Sequence, residues 1–145
     1  MITTSNNIDV FFETEITAEL ENIDKIDEKV ATVLTLSKLK RITFVIRLLL
    51  REALLNAVLH GSKRNAKNKI KFKLFVEDSY VCLKVVDAGK GFNWHQQLLD
   101  SFKAVQGDVI SKIGGRGLFL MKAYADEITY NQRGNSLLLK KSINL

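Results

Sequence analysis

Proline is absent from the 145 residues, and cysteine and tryptophan occur once each. Without proline, no stretch of the chain reads as an interdomain linker. The single Cys82 excludes an intrachain disulfide and a cysteine-held metal cluster, and on a strand it reads as a small buried hydrophobe. No apolar run is long enough to span a bilayer, because the greasiest stretch is interrupted by Arg47, Arg51 and Glu52. Met1 to Asn7 is polar and lacks a basic start, so no secretory leader is expected, and the expected location is the cytoplasm, away from membranes. What is present, 46% hydrophobic and 26% charged residues, fits one domain with a real core.

Charge is unevenly distributed. Residues 1–36 hold eight acids against Lys25 and Lys29, a balance of −6, so with +6 for the whole chain the remainder carries +12. An acidic segment of this kind can meet a basic surface of the same or another chain. The densest basic cluster, Lys63, Arg64, Lys67, Lys69, Lys71 and Lys73 near Phe72, Phe75 and Tyr80, raises nucleic acid as a partner. Phe72 alternates with Lys71 and Lys73, however, which is the pattern of a strand with an apolar face inward and a solvated lysine face. Nucleic acid is therefore not the expected partner.

Periodicity gives a compact α/β order. A short strand is expected over Ile8–Phe12, then a helix over Thr17–Ser37, capped by Thr17, with Leu20, Ile23, Ile26, Val30 and Val33 on one stripe. A second helix runs from Arg41 to His60 and stops at Gly61. Ile70–Val76 and Tyr80–Val86 form a hairpin about Glu77–Ser79. Asn93–Phe102 reads as a short helix, Lys103–Ile113 as irregular, Gly117–Tyr124 as helical, and Glu127–Tyr130 with Ser136–Lys140 as a final hairpin.

The second helix carries the main functional clue. Glu52, Asn56 and His60 follow one another at four-residue steps and share a face, while Thr43, Arg47 and Arg51 form a second polar stripe roughly opposite. The arginines are expected to lay their stems on apolar surface with their heads in water. Glu52 and Asn56 are short and flanked by Val45, Leu48, Leu49 and Leu59, so each needs a polar partner: a cation, a phosphate, a substrate hydroxyl or a backbone group. Two glycine segments follow. Asp87-Ala88-Gly89-Lys90-Gly91-Phe92 comes directly after a strand, where an aspartate can accept a base's amino hydrogens. Gly114-Gly115-Arg116-Gly117-Leu118 opens a helix, whose free backbone N–H groups favour phosphate. Neither is a Walker A loop or a full dinucleotide fingerprint. Phe92 and Trp94 read as packing residues, and His95 as a surface residue.

In order, Glu-x-x-x-Asn on a helix, Asp-x-Gly-x-Gly after a hairpin and Gly-Gly-x-Gly-Leu before a further helix resemble the ATP-binding domain of the GHKL superfamily. The resemblance covers about residues 40–141, with residues 1–38 as a lead-in strand and helix. The ending Asn56-Ala57-Val58-Leu59-His60-Gly61 is similar to the anti-sigma factor serine/threonine kinases, whereas gyrase and mismatch-repair relatives usually have Asp where His60 stands. The short chain, with no phosphoacceptor-histidine domain before the site, is expected to be a stand-alone kinase. The resemblance implies a Bergerat-type two-layer α/β sandwich, with a mixed, mostly antiparallel sheet covered by helices on one face.

It also implies roles. Asn56 would bind Mg2+, and Glu52 would accept the proton of an attacking hydroxyl. Asp87 would recognise the adenine amino group; Gly89 and Gly91 would let the chain approach the nucleotide; Gly115, Arg116, Gly117 and Leu118 would line the phosphates; and residues 103–113 would form an ATP lid. His60 would be structural, near Gly61. The family's usual Gly-Thr in the last hairpin is here Gly134-Asn135-Ser136, so Asn135 or Ser136 would replace the threonine's support of adenine. The implied function is ATP- and Mg2+-dependent phosphorylation of a serine or threonine on a STAS-type anti-sigma antagonist, with a sigma factor as a further partner and a homodimer as the assembly. Two alternatives remain: a nucleotide-dependent module that sequesters a partner, and a detached histidine-kinase catalytic domain.

Overall fold

The computed structural model describes residues 8–37, 39–61, 65–88 and 115–143, with side chains for these except 8–10, 60–61 and 115–119. Gly89, Gly91, Phe92, Trp94, His95, Lys63, Arg64, the helix expected over 93–102 and the lid expected over 103–113 lie outside the described residues, as does the side chain of His60.

Alternating side chains build the sheet. β2 (Lys69–Glu77) and β3 (Tyr80–Asp87) form the expected hairpin. Asp78 sits at φ 54°, in the left-handed region that tight hairpin turns require and that aspartate tolerates. Ile70, Phe72 and Leu74 are buried while Lys69 and Lys71 are exposed, so the lysine face is solvated as the alternation predicts. β1 (Ile8–Thr17) pairs with β2, β5 (Ser136–Ser142) pairs with β3, and β4 (Glu127–Tyr130) closes the far side, giving the order β1-β2-β3-β5-β4. Every described pairing is antiparallel.

β1 runs five residues beyond the expected Phe12. After a register shift between Val10 and Phe12, Phe12, Thr14 and Ile16 face Leu74, Phe72 and Ile70, and the Phe12 and Phe72 ring centroids lie 6.1 Å apart. The shift interrupts the period of two, which hides the second half of the strand from a pattern search. Thr17 is accordingly the last residue of β1 and not a helix cap. Glu19 holds the cap position with no side-chain cap bond. The Thr17 hydroxyl instead donates to Glu19 Oε1 at 2.7 Å and accepts from Asn22 Nδ2 at 2.9 Å, tying the strand end to the first helical turn.

α1 (Leu20–Thr35), α2 (Thr43–Asn56) and α3 (Gly115–Tyr124) contribute to one core on one face of the sheet. Ile23, Ile26, Val30 and Leu34 form the buried stripe of α1; Leu20 is 46% exposed and leaves it. A 3-10 turn, Lys40–Ile42, leads into α2, and a π turn, Ala57–Gly61, ends it at the expected glycine.

Arg47 and Arg51 of α2 are exposed as expected, but they also reach a partner on α1. Asp27 of α1 is buried, and its carboxylate accepts from Arg47 Nε at 2.8 Å, Arg47 Nη2 at 3.1 Å and Arg51 Nη1 at 3.0 Å. Arg51 Nη1 also lies 3.0 Å from Asp24. A buried carboxylate on the facing helix is a tertiary partner, which the spacing within α2 cannot reveal. Burial pushes the Asp27 carboxyl up, but the bonds from Arg47 and Arg51 outweigh it and hold it below its ordinary value.

A carboxyl depressed in the folded state adds stability above its unfolded pKa, near 3.9, and loses that stability as pH falls through the folded value. Asp27→Asn should therefore cost about 1–3 kcal/mol at pH 7, the scale of hydrogen bonds to charged groups. Urea unfolding at pH 7 and again at pH 3 checks this: the gap between variant and parent narrows at the lower pH. An equal midpoint at pH 7 would mean that the clamp does not hold α1 on α2.

Candidate functional site

β3 and α2 converge at a small cleft because each carries a polar residue where its buried row ends. Val81, Leu83 and Val85 face the helices, and the next position in that alternation is Asp87, 5% exposed. On α2 the buried row Leu49, Ala53 continues to Asn56, 3% exposed. Asn56, Asp87, Tyr130, Asn135 and Ser136 supply the polar groups of the cleft, and Ala53 and Ala57 leave room beside Asn56. Its free volume is about 10 Å3, so these residues form a floor for one end of a ligand and do not enclose a whole one.

The Asn56 Nδ2 is buried and has no hydrogen-bond partner among the described residues. A buried amide N–H left so costs about 1–3 kcal/mol, and such a donor in a cleft is suited to a ligand's acceptor oxygen. Asp87 is anchored by its backbone: its N–H donates to the Asn135 carbonyl at 2.9 Å, and Asn135 Nδ2 donates back to the Asp87 carbonyl at 3.4 Å. Asn135 is itself held by Asn131, whose Nδ2 donates to Asn135 Oδ1 at 2.6 Å and whose Oδ1 accepts from the Asn135 N–H at 3.0 Å. Ser136 donates its N–H to the same Asn131 Oδ1 at 3.1 Å. Gly134, at φ 77°, makes the turn that brings Asn135 back to β3. Of the two residues left open by the sequence, both line the cleft and Asn135 makes the bonds to Asp87.

Tyr130 was not singled out by sequence. It is the last residue of β4, paired with Leu137 and facing the cleft. Burial, and then the negative charge of Asp87, push its phenol above its ordinary value, so it stays protonated beside the carboxylate. The available signal was the alternation of Ile128 and Tyr130 just before the Asn131–Asn135 turn.

The remaining expected site residues divide. Glu52 is half-buried one turn before Asn56, and among the described residues it lines a groove of about 230 Å3 between α1 and α2 with Leu20, Ile23, Asp24, Arg51 and Leu55. Gly115, Arg116 and Gly117 form the first turn of α3, with Leu118 next, and α3 packs on α2. The helix thus opens two residues before the expected Gly117, and its leading N–H groups have no intrahelical acceptor. Among the described residues no group of three His, Cys, Asp or Glu converges to hold a metal, and no helix is long and apolar enough to cross a membrane.

No curated protein matches the chain. The family model of the histidine kinase-like ATPase domain matches residues 16–141, which takes in α1 as well as the three motif segments. With the antiparallel sheet under one layer of helices and Asn56 and Asp87 on a common cleft, that match covers most of the chain, and the chain belongs to the histidine kinase-like ATPase domain family, an ATP-binding family of GHKL type.

Proposed function

We propose that this domain is an ATP- and Mg2+-dependent serine/threonine kinase of the anti-sigma factor type, acting on a STAS-type antagonist. The observation that carries the reading is the pair of buried polar side chains, Asn56 and Asp87, on one cleft, with the Asn56 amide unpartnered among the described residues and a carboxylate, Glu52, one turn away. The residues fit the groups they would hold. Asp87, an acceptor at a strand end, suits the amino edge of adenine; Asn135 bonds its backbone, and Tyr130 lines the same cleft. Asn56 offers an amide oxygen to a hard cation, and Mg2+ typically takes only one or two protein ligands besides phosphates and water. Gly115, Arg116, Gly117 and Leu118 open α3, where backbone N–H groups suit phosphate oxygens. Gly89 and Gly91, outside the described residues, keep the role that the family resemblance implies.

Bound ATP would supply the phosphoryl group, and Mg2+, held by Asn56, would offset its charge. Glu52 takes the proton of the acceptor hydroxyl as that oxygen bonds to phosphorus and the diphosphate leaves. A homodimer and a sigma factor partner belong to the same reading. Because, among the described residues, Asn56 lines the cleft with Asp87 and Glu52 a groove against α1, the geometry also suits a module that binds nucleotide and holds a partner without transfer.

Three variants test these roles. Asp87→Asn replaces an acceptor with an amide and should weaken ATP binding by about 1–3 kcal/mol with an unchanged melting curve; calorimetric titration with unaltered affinity would remove Asp87 from the site. Asn56→Ala should weaken ATP binding much more in magnesium than in chelator, whereas equal losses would make its role one of packing. Glu52→Gln keeps size and removes basicity, so single-turnover transfer should fall by about 10²- to 10⁴-fold with ATP affinity nearly intact. A wild-type rate in that variant would end the base assignment, and ATP-dependent complex formation without any transfer by the parent would favour the sequestering module.

A further inference from the structure

One side chain organises the turn between β4 and β5. Asn131 Oδ1 accepts from two backbone N–H groups, those of Asn135 at 3.0 Å and Ser136 at 3.1 Å, and the Asn131 N–H donates to the Ser136 carbonyl at 3.0 Å. A backbone N–H can only donate, so the oxygen end of the Asn131 amide is fixed toward the chain. Its Nδ2 is thereby fixed as the donor to Asn135 Oδ1, at 2.6 Å. Asn135 is left with its own Nδ2 on the other side, donating to the Asp87 carbonyl at 3.4 Å. A carbonyl can only accept, so both ends of this relay agree on how the Asn135 amide lies.

Asn135 and Asp87 line the same cleft as Asn56. We propose that Asn131 is the positioning residue for nucleobase selection: by holding the NH2 end of Asn135 toward Asp87 it sets a donor beside a carboxylate acceptor, and the pair prefers a 6-aminopurine to a 6-oxopurine. The inference rests on the nucleotide-binding reading of the cleft and adds the residue that gives the cleft its polarity. Adenine carries the complementary edge, with a 6-amino group that donates and an N1 that accepts. In hypoxanthine the 6-oxygen accepts and N1 carries a hydrogen, so the same pose sets oxygen against the Asp87 carboxylate and N–H against N–H. Sites built to hydrogen-bond one edge discriminate strongly against the reversed one, because their polar groups are then left unpaired. Asn135 Nδ2 has two hydrogens, and its bond to Asp87 takes one. That bond is the longest of the relay, so the amide is held firmly at its Asn131 end and loosely at the end that serves the base.

Asn131→Asp keeps an oxygen for both backbone N–H groups and removes the donor to Asn135. The position is exposed, so the turn should persist with a melting curve like the parent's, while the Asn135 amide rotates to give its NH2 to the new carboxylate. Repulsion between the added charge and the phosphates acts equally on ATP and inosine triphosphate, which differ only in the base, and cancels in the ratio of their affinities. Calorimetric titration of the full chain with Mg-ATP and Mg-inosine triphosphate measures that ratio. The parent should hold ATP about tenfold or more tightly, and in Asn131→Asp the ratio should fall by about tenfold, the scale of one hydrogen bond. Asn135→Ala, which removes the relayed donor, should lower the ratio as far, and adding Asn131→Asp to it should change the ratio no further. A ratio like the parent's in either single variant, including one in which both affinities fall together, or a further change in the double variant, would overturn the relay and leave nucleotide binding standing. So would a parent that binds both nucleotides alike. A parent that binds neither would overturn the nucleotide reading as well.

Discussion

The register of β3 is the constraint on which the rest depends. This strand is bonded on both sides, to β2 and to β5, and the two ladders together determine which of its residues face the helices. Val81, Leu83 and Val85 are driven inward by burial, and the same alternation carries Asp87 inward after them. A slip by one residue would turn Asp87 to solvent and put Lys84 in the core. The apolar residues of the strand therefore hold the carboxylate under α2, and the site's geometry is a by-product of core packing.

The uneven charge of the chain finds its counterpart inside the molecule. Asp24 and Asp27 of the acidic N-terminal segment meet Arg47 and Arg51 of α2, so part of the polarity read along the sequence is used to seat one helix on the other. The same contact explains why α1 tolerates a buried carboxylate in its apolar stripe. Arg51 also lines the groove beside Glu52.

Much of the fold was legible because its signals are local. The β2–β3 hairpin, the strand Glu127–Tyr130 and the apolar row of α1 follow from alternation and from three- and four-residue spacing, and the structure agrees within a residue or two for both hairpins. What was not legible depends on partners distant in sequence. The length of β1 was hidden by a register shift, Thr17 by a strand that continues to it, and the arginine stripe by an aspartate twenty residues away. At the site, Asn56 stood out as a short polar residue in a greasy helix and Asp87 as an acid between a strand and a glycine-rich turn. Tyr130 did not, because an aromatic at the end of a short strand is ordinary. That Glu52 also borders a groove against α1 was invisible to helical spacing, which reports a shared face and not what covers it.

The bond between the Asp87 N–H and the Asn135 carbonyl lies just beyond the Val86–Ser136 pair, at the end of the β3–β5 ladder. Strand ends are where sheets open first, with free energies well below that of global unfolding. Here the opening end is also a wall of the cleft that holds Asn56. A ligand held by Asp87 closes that end, and its binding energy is added to the local opening cost by mass action. Under the proposed function, occupancy of the site is thus written into the exchange rate of one backbone amide, that of Asp87, before any change in the shape of the domain.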